Sequence, residues 1–181
     1  MAERFSQKNL RVRPSSDEEK IVTNAKEHFE KTLVEISGEL VGSVAALEHP
    51  TKNKKLNYGE IFLRDNVPVM IYLITQKRYE IVKKFLSVCL ELQSTNYQTR
   101  GVFPTSFVEE QGKLIGDYGQ RSIGRITSAD ASLWWPILCW FYVNKSGDYA
   151  FGKSQSVQRG IQLLLDLVLH PTFEGTPVLF V

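Results

Sequence analysis

Two runs of this chain, VPVMIYLI at 67–74 and SLWWPILCWFYV at 132–143, are apolar on every side of a helix. A helix that is apolar all round belongs inside a protein, with neighbours on each flank. The helical patterns around these runs are different, because each shows a single apolar stripe. Ile21, Ala25, Phe29, Leu33, Ile36, Leu40, Val44 and Leu47 recur at spacings of three or four and predict a helix over 17–47, opened by a capping box at Ser16 and Glu19. Ile81, Val82, Phe85, Leu86, Cys89 and Leu92 stripe a third helix over 78–92. Val157, Ile161, Leu164, Leu165 and Val168 stripe a fifth over 154–169.

The order striped, buried, striped, buried, striped is what two concentric layers of helices produce. It predicts an all-α fold, a partial (α/α)6 toroid. The chain supplies about five helices, against about twelve in a closed toroid. Antiparallel alternation then points the starts of both inner helices, RDN at 64–66 and SAD at 128–130, to one end. There they can meet across a funnel. Asp65 or Asn66 can cap the first inner helix, with Pro68 in its opening turn, and Pro136 falls near the start of the second. Between the third and fourth helices, 94–127 holds no helical pattern. GVFPTSFV and KLIGDYG around EEQG predict a short β-hairpin there.

Residues 1–16 read as a flexible arm and 17–181 as one domain. The arm is basic but has no apolar core behind it, so it does not read as a secretory signal, and the cytoplasm is the expected compartment. The chain's last residues, PVLFV, are an apolar tail and predict a chain cut off in mid-domain. A net charge of +2 is too small to imply a nucleic-acid or membrane partner. Cys89 and Cys139 sit in apolar helical runs and read as buried thiols.

His28, His49 and His170 are scattered without ligand spacing, so no metal site is suggested, and no nucleotide loop or nucleophile elbow is present. What remains is carboxylates near aromatics. Glu60, Asp65, Asp117 and Asp130 lie close in sequence to Tyr58, Phe62, Phe103, Phe107, Tyr118, Trp134 and Trp135. Sugars combine apolar ring faces with hydroxyl rims, so their sites combine aromatic platforms with polar side chains. Glycoside hydrolysis needs two carboxyl groups, one protonated and one ionised. Asp130 has two readings at this level: an N-cap for its helix, or a proton donor beside an indole.

NYGEIFLRDNVP, GVFPTSF, DYGQRSIGR and SADASLWWPILCWFYV, in that order, resemble the alkaline/neutral invertases of glycoside hydrolase family 100. The resemblance runs from about residue 17 to the last residue and looks closest to the cyanobacterial branch; plant members usually have an aromatic where this chain has Asn66. It implies an N-terminal part of an (α/α)6 barrel that hydrolyses sucrose to glucose and fructose, with inversion and without metal or organic cofactor. It implies that Asp130 is the general acid, since Asp130 opens the match to the family's Asp-[Ser/Ala]-x-Leu-Trp-Trp motif. Arg64, Asp65, Gln120 and Arg121 match motifs that line the sugar pocket, with Tyr58 and Phe62 as further substrate-binding candidates. The family's second carboxylate, a Glu, belongs to the C-terminal half of the barrel, and nothing in this chain matches its motif. These 181 residues alone are therefore expected to be inactive on sucrose.

Three other readings stay open at this level. The chain could act as a sugar-binding fragment, as an interaction module or homo-oligomer that covers its open inner helices, or as a toroid glycosidase acting on glucans.

Overall fold

The structure, a computed structural model, describes residues 16–44, 59–97, 99–120 and 130–169. The chain divides into two units, Met1–Lys31 and Thr32–Val181. Within the first unit, the described residues belong to helix α1, Ser16–Thr32, which begins at the expected capping-box serine. Asp17, Glu18 and Glu19 crowd its first turn, where carboxylates complement the positive end of the helix dipole.

The helix expected to run to Leu47 stops at Thr32, which corrects the all-α expectation. Strands β1, Leu33–Ile36, and β2, Glu39–Ser43, form an antiparallel hairpin instead. Its turn is Ser37–Gly38, with φ of 52° and 83°. Positive φ at both central residues is the geometry that matches strand twist in a tight hairpin, and glycine adopts it without steric cost. LVEISGELVGS thus satisfies the spacing of a helical stripe, but its serine–glycine pair breaks the helix. Leu47 lies outside the described residues.

A second small sheet follows. Strand β3, Ile61–Phe62, pairs with β4, Ser106–Glu110, which pairs with β5, Lys113–Asp117, all antiparallel. The β4–β5 hairpin is the one expected between the third and fourth helical patterns, and it turns at Gln111–Gly112 with positive φ.

Helix α2, Leu63–Thr75, leaves β3 directly. Neither Asp65 nor Asn66 is its N-cap, because Phe62 occupies that position and both polar residues fall in the first turn. The reason lies in the sheet: the Leu63 amide donates to the Thr105 carbonyl at 2.9 Å, so neighbouring backbone satisfies one of the orphan amides that a cap usually serves. Helix α3, Tyr79–Glu91, and helix α4, Ala131–Ser146, follow the expected spans closely. A short helix α5, Tyr149–Gly152, precedes α6, Gln155–Val168, which Ser154 caps by accepting from the Val157 amide.

Helices α2 and α4 lie side by side and point the same way. Their starts meet where Arg64 reaches Asp130, and at the other end the hydroxyl of Tyr79, just past α2, donates to the Lys145 carbonyl in the last turn of α4. Helix α3 packs against both. Trp135 is fully buried at the centre, stacked on Phe103 with ring centroids 4.8 Å apart, and its indole N–H donates to the Leu86 carbonyl of α3. Cys89 and Cys139 are both buried thiols, and burial pushes the Cys139 thiol up to about 11.

The expectation of all-round burial is corrected for both inner helices. One face of α4 is buried through Trp135, Leu138, Cys139 and Tyr142. Its other face leaves Leu133, Ile137 and Trp140 exposed, Trp140 by 65%. On α2, Ile71 is likewise exposed. Their apolar composition exceeds what the described residues cover.

A polar corner ties α3 to the α4–α5 junction. Lys83 donates to Asp148 at 2.7 Å, the Tyr142 hydroxyl donates to the same carboxylate oxygen at 3.0 Å, and Asp148 caps α5 through the Phe151 amide. The Lys83 ammonium, with these other donors, holds the Asp148 carboxyl below its ordinary range. Burial, and then the neighbouring carboxylate, push the Tyr142 phenol up to about 12.

Two outcomes follow for stability. Trp135→Ala should cost about 3–5 kcal/mol in urea unfolding, and Trp134→Ala no more than about 1 kcal/mol, because only the first ring fills the core. A carboxyl depressed by folding contributes stability above its unfolded pKa of about 3.9 and loses it as pH falls through the folded value. Urea midpoints measured from pH 6 down to pH 2 should therefore fall more steeply below about pH 4 in the wild type than in Asp148→Asn.

Candidate active site

The shared start of α2 and α4 gathers three charged side chains. Arg64 and Asp65 project from the first turn of α2, and Asp130 stands at the N-cap position of α4. The Arg64 Nη1 lies 3.4 Å from Asp130 Oδ1, and its Nε lies 3.9 Å from Asp65 Oδ1. One guanidinium therefore sits between two carboxylates brought together from 65 residues apart. All three side chains are about half exposed, at 58%, 54% and 47% for Arg64, Asp65 and Asp130.

Asp130 is at the cap position without acting as a cap. Its backbone is helical, and its side chain accepts no hydrogen bond from the helix amides. The carbonyl does that work, accepting from the Leu133 and Trp134 amides at 3.0 and 3.1 Å. The carboxylate is thus turned toward Arg64. Trp134, in the first turn of the same helix, is 37% exposed beside it.

Core contacts set where Asp130 stands. Ala131 is fully buried, and the Ser132 hydroxyl accepts from the Phe103 amide at 3.0 Å. With Trp135 stacked on Phe103, the first turn of α4 is fixed to the 102–104 backbone. Arg64 and Asp65 are placed by the junction of β3 with α2. Phe62, a substrate-binding candidate, is half-buried there and pairs with Ser106 in the sheet.

Gln120 is exposed, at the end of a turn organised by Asp117. Asp117 is 2% exposed, and its Oδ1 accepts from the Gly119 and Gln120 amides at 3.1 and 2.8 Å. Glu60 is buried as well, and its Oε2 accepts from the Ser106 hydroxyl at 2.6 Å. Asp117 holds the turn after β5, and Glu60 ties the residue before β3 to β4. Tyr58 and Arg121 lie outside the described residues. The geometry therefore joins Arg64, Asp65 and Asp130 directly and places Phe62 at the N-cap of α2, while Gln120 ends the Asp117 turn after β5.

Sequence reading passed over Asn66 and Ser132 as site-building residues. A polar side chain within an otherwise apolar run is their signal, since burial of such a group calls for a specific partner.

A family model described as alkaline and neutral invertase matches residues 25–181. Alkaline/neutral invertase CINV2 of Arabidopsis thaliana is 33% identical, aligned over 94% of this chain and 32% of its own length. Neutral/alkaline invertase 1, mitochondrial, of Oryza sativa subsp. japonica is 36% identical over 95% of this chain and 30% of its own length. Cytosolic invertase 1 of the same rice is 32% identical over 88% and 30%. The chain thus spans about a third of the length of these curated relatives, and the names of the two rice proteins place them in different compartments, mitochondrial and cytosolic. Among the described residues, no helix is long and apolar enough to cross a membrane.

Exposed ion pairs contribute at most about 1 kcal/mol each. If the cluster serves chemistry and not folding, Asp130→Asn and Arg64→Gln should each move the urea-unfolding free energy by less than about 1 kcal/mol. A loss of more than about 2 kcal/mol, the range of a broken buried network, would make the cluster structural.

Proposed function

This chain belongs to the alkaline and neutral invertase family, and from that premise we propose that it forms the acid-bearing part of a sucrose-hydrolysing (α/α)6 barrel, with the cytoplasm as its compartment. The observation that carries the reading is the meeting of Asp130 with Arg64 at the common start of α2 and α4.

In this reading, protonated Asp130 delivers its proton to the glycosidic oxygen as the carbon–oxygen bond breaks. A second carboxylate takes a proton from a water, whose oxygen bonds to the anomeric carbon from the opposite face, with inversion. The two carboxyl groups would stand about 6.5–9.5 Å apart to leave room for that water. Asp65 is tied to the same guanidinium as Asp130, so it is assigned to substrate contact and not to the base. The base comes from polypeptide of the kind that makes up the rest of the longer relatives. Arg64, Asp65, Gln120 and Arg121 would bind sugar hydroxyls, with Tyr58 and Phe62 at the margin. The exposed ring of Trp134 suits an apolar sugar face.

The open face of α4 supports the same reading. Leu133, Ile137 and Trp140 offer the apolar surface that an inner barrel helix turns toward its next neighbour. Further helices of the barrel are the proposed cover for it.

The chain alone should leave sucrose intact at neutral to mildly alkaline pH. A chimera carrying residues 25–181 in place of the matching segment of the Arabidopsis relative should release glucose and fructose. Asp130→Asn in that chimera should lower turnover by roughly 10²–10⁴-fold, the usual contribution of a general acid. A chimera whose turnover is unchanged by Asp130→Asn would end the assignment. Cleavage by the isolated chain would instead overturn its expected inactivity, and would require self-assembly or a different base.

A further inference from the structure

Asn66 is one residue beyond the Arg64–Asp65 pair, and its side chain points away from the site. It is 2% exposed, on the flank of α2 that faces the β1–β2 hairpin. Its Oδ1 accepts from the Ser43 amide at 2.7 Å, and its Nδ2 donates to the Ser43 carbonyl and to the Phe62 carbonyl, both at 2.8 Å. The carboxamide thus pairs with both backbone groups of the last β2 residue, as a neighbouring strand would. Its second N–H closes on the N-cap residue of its own helix. Both amide hydrogens are used.

The approach needs the glycine beside it. A Cβ on Gly42 would come 2.8 Å from Ile61 Cγ2 and 3.0 Å from Asn66 Oδ1. Gly42 lets the hairpin close onto the start of α2, and Asn66 locks it there. No other natural side chain of that length both donates twice and accepts. Aspartate keeps the acceptor and loses both donors, and leucine loses all three bonds.

We propose that Asn66 is a positioning residue: by clamping Ser43 of β2 and the Phe62 carbonyl, it fixes the first turn of α2 and so holds Arg64 and Asp65 in register with Asp130. That these three residues serve sugar chemistry rests on the function proposed above; the clamp itself is tested without it. Arg64 has a long side chain, and surface pairing alone holds it weakly. Its placement against a residue from a separate helix therefore depends on where its backbone is pinned.

The test is a coupling measurement on the full 181-residue chain labelled with nitrogen-15. In the wild type, Asp130→Asn should shift the Arg64 Nε–H resonance, because the guanidinium touches that carboxylate. In an Asn66→Ala background the same change should leave the resonance where it was, with exchange of the Ser43 amide roughly tenfold faster. Asn66→Asp retains the acceptor, so Ser43 should stay protected while the Arg64 response is weakened; this variant serves if Asn66→Ala does not fold. A residue that only stabilised the fold would lower the melting temperature and leave the Arg64 response intact. That result in either folded variant overturns the proposal. Sucrose titrated into the wild-type chain separates the two readings. If coupling is lost in the Asn66 variants while sucrose moves neither the Arg64 nor the Trp134 resonance, the clamp stands and sugar binding by this chain fails.

Discussion

The stack of Trp135 on Phe103 is the contact on which the geometry of this chain depends. It joins α4 to the segment leading into β4, and the indole N–H joins both to α3 through the Leu86 carbonyl. An aromatic pair at this spacing adds about 0.5–1.5 kcal/mol beyond the area it buries. Its larger effect is orientational. With Trp135 fixed in the core, the Asp130 side chain is left about half exposed and paired with Arg64. The apolar content of SLWWPILCWFYV explains burial; the rotation set by one ring explains why a carboxylate is delivered to the surface beside Arg64.

The same logic applies at α2. Its apolar flank is buried through Val67, Met70, Leu73 and Ile74, which leaves its first turn to carry the polar residues. Two helices with unlike sequences thus bring their charged starts to one place. The arrangement is not held by the charges it exposes, since ion pairs half open to water contribute little. Packing and buried backbone hydrogen bonds position the charges.

Much of this was legible in the residues. The spans of α2, α3, α4 and α6 follow from apolar spacing, and the β4–β5 hairpin follows from its Gln111–Gly112 turn between alternating strands. The meeting of the two inner helix starts follows from the alternation of striped and apolar patterns, and Arg64–Asp130 bears it out. The β1–β2 hairpin was not legible, because Leu33, Ile36, Leu40 and Val44 fit a helical spacing as well as a strand. A three- or four-residue period over so short a run does not separate the two, and the turn at Ser37–Gly38 decides it. The cap of α2 was misjudged for a related reason: Asp65 is a good cap residue in isolation, but Phe62 holds the N-cap position and the Thr105 carbonyl takes the Leu63 amide. Asp130 does stand at the N-cap position of α4, with its carboxylate paired to Arg64 and not to the helix amides. Asn66 shows the remaining limit. Its role lies in three hydrogen bonds to backbone, and backbone carries no residue signature in a sequence.

The two faces of α4 carry a consequence for how substitutions in this helix would be tolerated. Polar replacements at Trp135 or Leu138 would be purged by folding alone. At Leu133, Ile137 and Trp140, the same replacements leave the described core untouched and improve solubility. A selection for soluble expression of this chain would therefore erode the outer face while preserving the inner one. A selection for assembly into a larger barrel would keep both. The residues retained on the outer face of α4 are thus a record of which pressure has acted on the chain.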